Sequence, residues 1–245
     1  MINRPTVGSL YSGIGGGDLG FERAGFRLVW QAESDPWRAK VLAAHWPDVT
    51  RYRFVEEAGA FGADPVDLLY AGLPSGDPGW LTPIWPMVAQ LTPAILVIET
   101  GGRCADALGQ AFDRFGYYGG GIALACEATR REGSIRRARS FAIARHGCRE
   151  GLAELLDLAE QVDHPVMDET ASASPRTIPE MLEALVGLPL GWTCVCMPAT
   201  PGDCEESSAR LVAANECLSP ALAQWLGAYL LALRPHAAVA VPVEA

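Results

Sequence analysis

The chain has 245 residues, of which 49% are hydrophobic, enough for one large domain, or one domain with a small satellite, to bury a substantial core. No uninterrupted apolar run approaches the roughly 20 residues that a bilayer-spanning helix needs, and the first residues lack the basic-then-apolar layout of a signal peptide, so no membrane association and a cytoplasmic location are expected. The formal net charge of −10 repels phosphate and excludes a broadly basic nucleic-acid-binding surface.

In chain order, apolar runs bounded by Gly, Pro or Asp mark strands at Thr6–Tyr11, Leu28–Ala32, Leu68–Gly72, Ile95–Glu99, Gly121–Cys126 and Phe141–Ala144. Between them, apolar residues recur at three- and four-residue spacing over Leu19–Ala24, Trp37–His45, Trp85–Leu91 and Ala105–Phe115, which predicts helices. Strands alternating with helices predict an α/β fold whose mostly parallel sheet is covered on both faces. Gly151–Val162 reads as a further amphipathic helix and His164–Thr177 as a linker rich in Ser, Ala, Asp and Pro. Pro179–Val186 is expected to be a helix with proline at its start, and Leu218–Leu233 a long apolar helix ending before Pro235.

Positive charge gathers in Arg130, Arg131, Arg136, Arg137, Arg139 and Arg145, a local basic patch on an acidic chain. Seven cysteines are an odd number for a disulfide framework, so reduced thiols are expected. Cys194, Cys196 and Cys204 cluster loosely, without the fourth ligand or the spacing of a zinc site, and no metal is expected.

The run from Val7 to Phe21 puts a strand, a glycine-rich turn and a helix start in direct succession. In α/β sheets ligands bind at such turns, because backbone without side chains allows close approach at the carboxyl ends of the strands. Gly13, Gly15, Gly16 and Gly17 are the candidates, although a tight turn alone would also use them. The next strand ends in Glu33, where nucleotide-binding folds place an acid on ribose hydroxyls. The competing reading is that Glu33 and Asp35 cap the helix near Trp37.

Taken together, the order of motifs resembles the cytosine-C5 DNA methyltransferase family. Ser9-Leu-Tyr-Ser-Gly-Ile-Gly-Gly-Gly-Asp-Leu-Gly-Phe-Glu-Arg-Ala-Gly-Phe26 is similar to its first motif, and Ala32-Glu-Ser-Asp35 to its second, whose glutamate holds the ribose of S-adenosylmethionine. Asp67-Leu-Leu-Tyr-Ala-Gly-Leu-Pro-Ser-Gly-Asp-Pro78 resembles the strand and catalytic loop that in the family end in Pro-Cys, so Ser75 aligns with the nucleophile. Ile95-Leu-Val-Ile-Glu-Thr100 resembles the next motif, with Glu99 matching the glutamate that binds a flipped cytosine and Thr100 replacing an asparagine. Phe115-Gly-Tyr-Tyr118, Ala125–Thr129 and Ile135–Phe141 are similar to the late motifs, where Arg137 and Arg139 fall on two arginines. Pro179–Thr193 resembles a segment of bacterial and phage members, and Arg210–Gly227, with Asn215 and Pro220, the last motif.

The resemblance implies a Rossmann-like S-adenosylmethionine-dependent methyltransferase fold. It divides the chain into a catalytic core over 1–145, a short helix and linker over 146–178 in place of a target-recognition domain, and a segment over 179–245 that returns to the core. Ser75, Glu99, Arg137 and Arg139 would form the catalytic and base site. Tyr11, Gly13, Gly15, Gly16, Glu33, Ser34 and Asn215 would hold S-adenosylmethionine.

The departures from the family are chemical. A thiolate adds readily to a pyrimidine, whereas a serine hydroxyl needs a dedicated base, and Asp67–Pro78 contains no histidine. The loop after Ser75 is short, only about thirty residues (Arg145–Pro175) stand where the recognition domain belongs, Ser34 replaces an apolar adenine contact, and Arg51-Tyr-Arg-Phe54 lacks the adenine-binding Asp, for which Glu56 or Glu57 is the candidate substitute. The expectation is a methyltransferase-like protein without normal activity, a binding or regulatory subunit in DNA modification beside a partner protein. The alternatives are other chemistry on a pyrimidine base or nucleotide, and methyltransfer with DNA recognition supplied by another chain.

Overall fold

The computed structural model describes residues 4–74, 78–100, 105–130, 133–148, 177–195 and 207–232. Strand and helix alternate through β1 (Thr6–Leu10), α1 (Gly16–Ala24), β2 (Arg27–Ala32), α2 (Pro36–His45), β3 (Thr50–Tyr52), α3 (Val55–Ala60) and β4 (Leu68–Gly72). A short 3-10 turn (Pro78–Leu81) leads to α4 (Ile84–Leu91), β5 (Ile95–Thr100), α5 (Ala105–Arg114), β6 (Tyr117–Arg130) and β7 (Gly133–His146). The last described helices are α6 (Ile178–Val186), α7 (Ser207–Glu216) and α8 (Pro220–Ala232).

The seven strands form one sheet in the order β3-β2-β1-β4-β5-β7-β6. The first five are joined in parallel, as helical crossovers require, with Ser9 opposite Tyr70 and Gly72 opposite Glu99. β7 runs against both β5 and β6. The sheet is therefore mixed and mostly parallel, the α/β arrangement expected from the sequence.

Alternation along the strands divides the core. Val7, Leu68, Tyr70, Val97 and Phe141 face Phe21 of α1, Leu42 of α2 and Leu222 and Leu226 of α8. Leu10, Leu69, Ala71, Leu96 and Ile98 face Val55 of α3, Ile84 and Met87 of α4 and Phe112 of α5. Helix α1 approaches α8 closely because both carry glycine at the contact: a Cβ on Gly20 would lie 2.4 Å from Ala223 Cβ, and one on Gly227 2.7 Å from Ala24 Cβ.

Helices α6 and α7 are joined by a buried ion pair between Glu183 and Arg210. Glu183 accepts from the backbone N–H groups of Gly191 at 2.7 Å and Thr193 at 3.0 Å, from the Thr193 hydroxyl, and from Arg210 Nη2 at 3.1 Å. Both oxygens of the carboxylate are thereby engaged, which offsets the cost of burying it.

Three expectations are corrected here. The C-terminal helix begins at Pro220 rather than Leu218, because proline suits a first helical turn, and a separate helix α7 precedes it. The last two strands extend well past Gly121–Cys126 and Phe141–Ala144, since their long antiparallel ladder does not require apolar residues at the outer ends. The short β3 and α3 were not foreseen. The expected helix Gly151–Val162 and most of the linker His164–Thr177 lie outside the described residues. Among the described residues no helix is long and apolar enough to cross a membrane.

Candidate functional site

The carboxyl ends of β1, β2, β4 and β5 share one edge of the sheet, and a cavity of about 510 Å³ opens there. The chain leaves β1 through a turn that goes left-handed three times, at Tyr11 (φ 52°), Gly13 (φ 58°) and Gly15 (φ 86°). Glycine takes such angles without strain, whereas Tyr11 needs the surroundings to hold it. Its hydroxyl donates to Trp80 O at 2.9 Å and its ring meets the Trp80 indole edge-on at 5.5 Å, so the two aromatics form one rim of the cavity.

Glu33 ties this turn to the end of β2. Its Oε2 accepts from Gly13 N at 2.7 Å and its Oε1 from Asp35 N at 2.8 Å. Burial pushes its carboxyl above the ordinary carboxylate range, against the pull of those two donors. Asp35 caps α2 by accepting from Trp37 N and Arg38 N, both at 2.9 Å. The capping reading thus holds for Asp35, while Glu33 braces the glycine turn. Across the mouth, Arg38 of α2 pairs with Glu216 at the end of α7 at 2.5 Å.

The floor is a polar triad. Tyr70 O–H donates to Glu99 Oε2 at 2.8 Å, and Arg139 Nε stands 3.1 Å from Glu99 Oε1. The Nε–H has no well-aligned acceptor, so this contact is one of charge more than of hydrogen bonding. Arg139 also donates through Nη2 to Glu216 O at 2.9 Å, which fastens the end of α7 to the sheet. Burial raises the Glu99 carboxyl, with Arg139 and then Tyr70 pulling the other way, and holds the Tyr70 hydroxyl well above its ordinary range.

Beneath the turn lies a fully buried acid. Asp18, in the first turn of α1, accepts from Gln31 Nε2 at 2.7 Å. Its other oxygen, Oδ1, and the amide oxygen Oε1 of Gln31 are both buried and lack a donor. Burial pushes the Asp18 carboxyl up to about 6, against hydrogen bonds from Ser9 and Gln31.

Of the residues singled out from the sequence, Tyr11, Gly13, Gly16, Gly17, Glu33, Ser34, Asp35, Glu99, Thr100 and Arg139 line this one cavity. Gly15 and Asn215 do not. A Cβ on Gly15 would face away, 2.4 Å from the Trp46 ring, and Asn215 is exposed on α7 while its neighbours Ala213 and Glu216 line the wall. Glu56 and Glu57 are also absent from the lining, because Glu57 turns back to accept from Arg53 N at 2.9 Å at the start of α3. Ser75 and the side chain of Arg137 lie outside the described residues. Arg38, Tyr70, Trp80, Glu216 and Cys217 complete the cavity without having been anticipated. Only the apolar rim position of Trp80 and the tyrosine within an otherwise aliphatic strand carried any local signal. Among the described residues no three His, Cys, Asp or Glu side chains gather as a metal site.

Residues 6–77 match the family model of C-5 cytosine-specific DNA methylases. No curated protein matches the chain in sequence. Among solved structures, a protein described as a DNA modification methyltransferase encoded within an E. coli prophage superposes with a TM-score of 0.64 at 15% identity, covering 94% of this chain and 99% of its own. The Dnmt2 methyltransferase of S. pombe gives 0.61 at 11% identity over 95% and 100% of the two chains. A DNMT2 variant from Spodoptera frugiperda gives 0.59 at 10% over 93% and 99%. At these identities the likenesses establish a shared fold, and the family-model match covers residues 6–77.

Proposed function

We propose, from the premise that this chain is a diverged relative of the cytosine-C5 DNA methyltransferases, that its cavity binds S-adenosylmethionine or the demethylated product and that the protein serves DNA modification as a binding or regulatory subunit. The observation that carries this reading is the joining of the left-handed glycine turn to Glu33 in the wall of one cavity at the carboxyl ends of the strands. A cavity of about 510 Å³ falls within the range for small-molecule sites. A Cβ on Gly13 would meet nothing within 4 Å, so its backbone is open to close approach, and Glu33 offers its remaining lone pairs to ribose hydroxyls. The four acids of the wall, Glu33, Asp35, Glu99 and Glu216, outnumber its two arginines, Arg38 and Arg139, and this balance favours a ligand carrying sulfonium and ammonium cations. When bound, S-adenosylmethionine supplies an electrophilic methyl group.

Transfer of that group to cytosine needs a nucleophile that adds to the pyrimidine ring. Ser75 stands at that position in the sequence, and a hydroxyl without a neighbouring base is a poor substitute for a thiolate. The division into a core (1–145), a short replacement for the recognition domain (146–178) and a returning segment (179–245) leaves base-sequence recognition to a partner protein.

Calorimetry with S-adenosylhomocysteine tests the first part, and micromolar binding is expected; absence of binding up to millimolar ligand sinks it. Tritiated S-adenosylmethionine with mixed-sequence duplex DNA tests the second. No incorporation above a no-enzyme control is expected, and clear labelling by the unaltered protein refutes the regulatory reading. Label that appears only with Ser75→Cys identifies the nucleophile as the missing part.

A further inference from the structure

Taking Glu99 as the acid that meets the base in the related methyltransferases, the reading on which this rests, we propose that Tyr70 is a specificity-determining residue whose hydroxyl holds the Glu99 carboxylate and keeps pyrimidine ligands off it.

Both oxygens of that carboxylate have partners from within the chain, Oε2 with the Tyr70 hydroxyl at 2.8 Å and Oε1 with Arg139 Nε at 3.1 Å. Tyr70 is itself buried, on the face of β4 that packs against α1. Its ring has little freedom to swing aside. A Cβ on Gly17 would come within 2.6 Å of Tyr70 Cε1 and one on Gly72 within 2.9 Å of its hydroxyl, while the Phe21 ring packs against it at 5.3 Å. The tyrosine therefore fills the space that the two glycines leave beneath the cavity floor, and its hydroxyl ends on Glu99.

A cytosine edge binds such an acid through its amino N–H and ring nitrogen. A carboxylate oxygen has lone pairs for two donors, but Oε2 is held facing the Tyr70 hydroxyl; to turn it towards the amino group Glu99 must rotate out of that 2.8 Å hydrogen bond, which leaves the hydroxyl buried without an acceptor. One hydrogen bond is exchanged for another and a polar group is left unsatisfied, a cost to the pyrimidine on the order of tenfold or more in affinity. A ligand held by the glycine turn and Glu33 involves no such exchange, because Glu33 keeps its bonds to Gly13 N and Asp35 N, accepts through its remaining lone pairs, and leaves the Tyr70–Glu99 hydrogen bond in place. The cavity is thereby biased towards an adenosyl ligand and against a base.

The test titrates 2′-deoxycytidine and S-adenosylhomocysteine separately into wild-type and Tyr70→Phe protein by calorimetry. Deoxycytidine is expected to bind Tyr70→Phe at least tenfold more tightly than wild type. Equal affinities, or no deoxycytidine binding to either protein, overturn the proposal. The S-adenosylhomocysteine titration of the wild type reads the adenosyl assignment by itself: its failure beside an intact deoxycytidine difference removes that ligand and leaves the role of Tyr70 standing. Circular dichroism checks folding, and Tyr70→Leu, which removes the hydroxyl but keeps an apolar filler, gives the same comparison where Tyr70→Phe does not fold.

Discussion

Asp18→Asn is expected to stabilise the protein at neutral pH and to change little in acid. In the unfolded chain the Asp18 carboxyl titrates at its ordinary 3.8, whereas burial in the folded state raises it to about 6. Its place in the first turn of α1 favours the ionised form, but removal from water outweighs that. Below 3.8 both states hold the proton. Between 3.8 and about 6 the unfolded state releases it first, so stability falls as pH rises; above that window the full cost is present. A separation from 3.8 to about 6, at about 1.4 kcal/mol for each pH unit, amounts to roughly 3 kcal/mol. Asparagine cannot ionise, and its amide oxygen can still accept from Gln31 Nε2. In a chain of this size, 1 kcal/mol moves Tm by roughly 2–4 °C, so Asp18→Asn should melt about 6–12 °C higher at pH 7.5. The difference should close by pH 4. Thermal unfolding at pH 4, 5, 6 and 7.5 measures it. A variant no more stable than wild type at pH 7.5, or a gap that does not depend on pH, refutes the reasoning.

Gly16→Ala should cost about 1–3 kcal/mol in urea unfolding, because its Cβ would fall 2.2 Å from both Cys217 Sγ and Leu218 O; a neutral result would mean that the end of α7 is not seated on the turn. Arg210→Met strands the fully buried Glu183 carboxylate and should lose about 3–5 kcal/mol, with Glu183→Gln in the same background recovering part of it. Glu33→Ala removes the brace on Gly13 N and should weaken S-adenosylhomocysteine binding at least tenfold by calorimetry, while unchanged affinity would place the ligand elsewhere. DNA binding by the chain alone should be weak and lost with salt, given the net charge of −10; a nanomolar gel shift at about 0.15 M salt would contradict this.

The strands were legible because each is an apolar run closed by Gly, Pro or Asp, and Leu68–Gly72 was placed to the residue. The glycine turn and Glu33 were legible for the same reason, since unusual backbone geometry demands particular residues. What escaped was whatever depends on neighbours remote in the chain. β3 is three polar residues at the sheet edge, with no apolar signature of its own. Tyr70 reads as one more β-former until Glu99 is found beside its hydroxyl, and Asp18 reads as an ordinary acid of a first helical turn until burial is known. Asn215 fell one residue from the wall because a motif fixes sequence order more firmly than helical phase: Glu216 and Cys217 take the cavity side.

The contact between α1 and α8 also sets the order in which the molecule can be completed during synthesis. Phe21 and the glycine face of α1 emerge from the ribosome early, but their covering residues, Ala223 and Gly227, are translated some 200 residues later. Until then the nascent sheet carries an uncovered apolar face, and the cavity lacks the wall formed by Glu216 and Cys217. Contacts that close so long a loop slow folding and expose the chain to aggregation. Expression yield should therefore respond more sharply to changes along 207–232 than to equally buried changes in α4, whose partner α3 is its near neighbour in the chain.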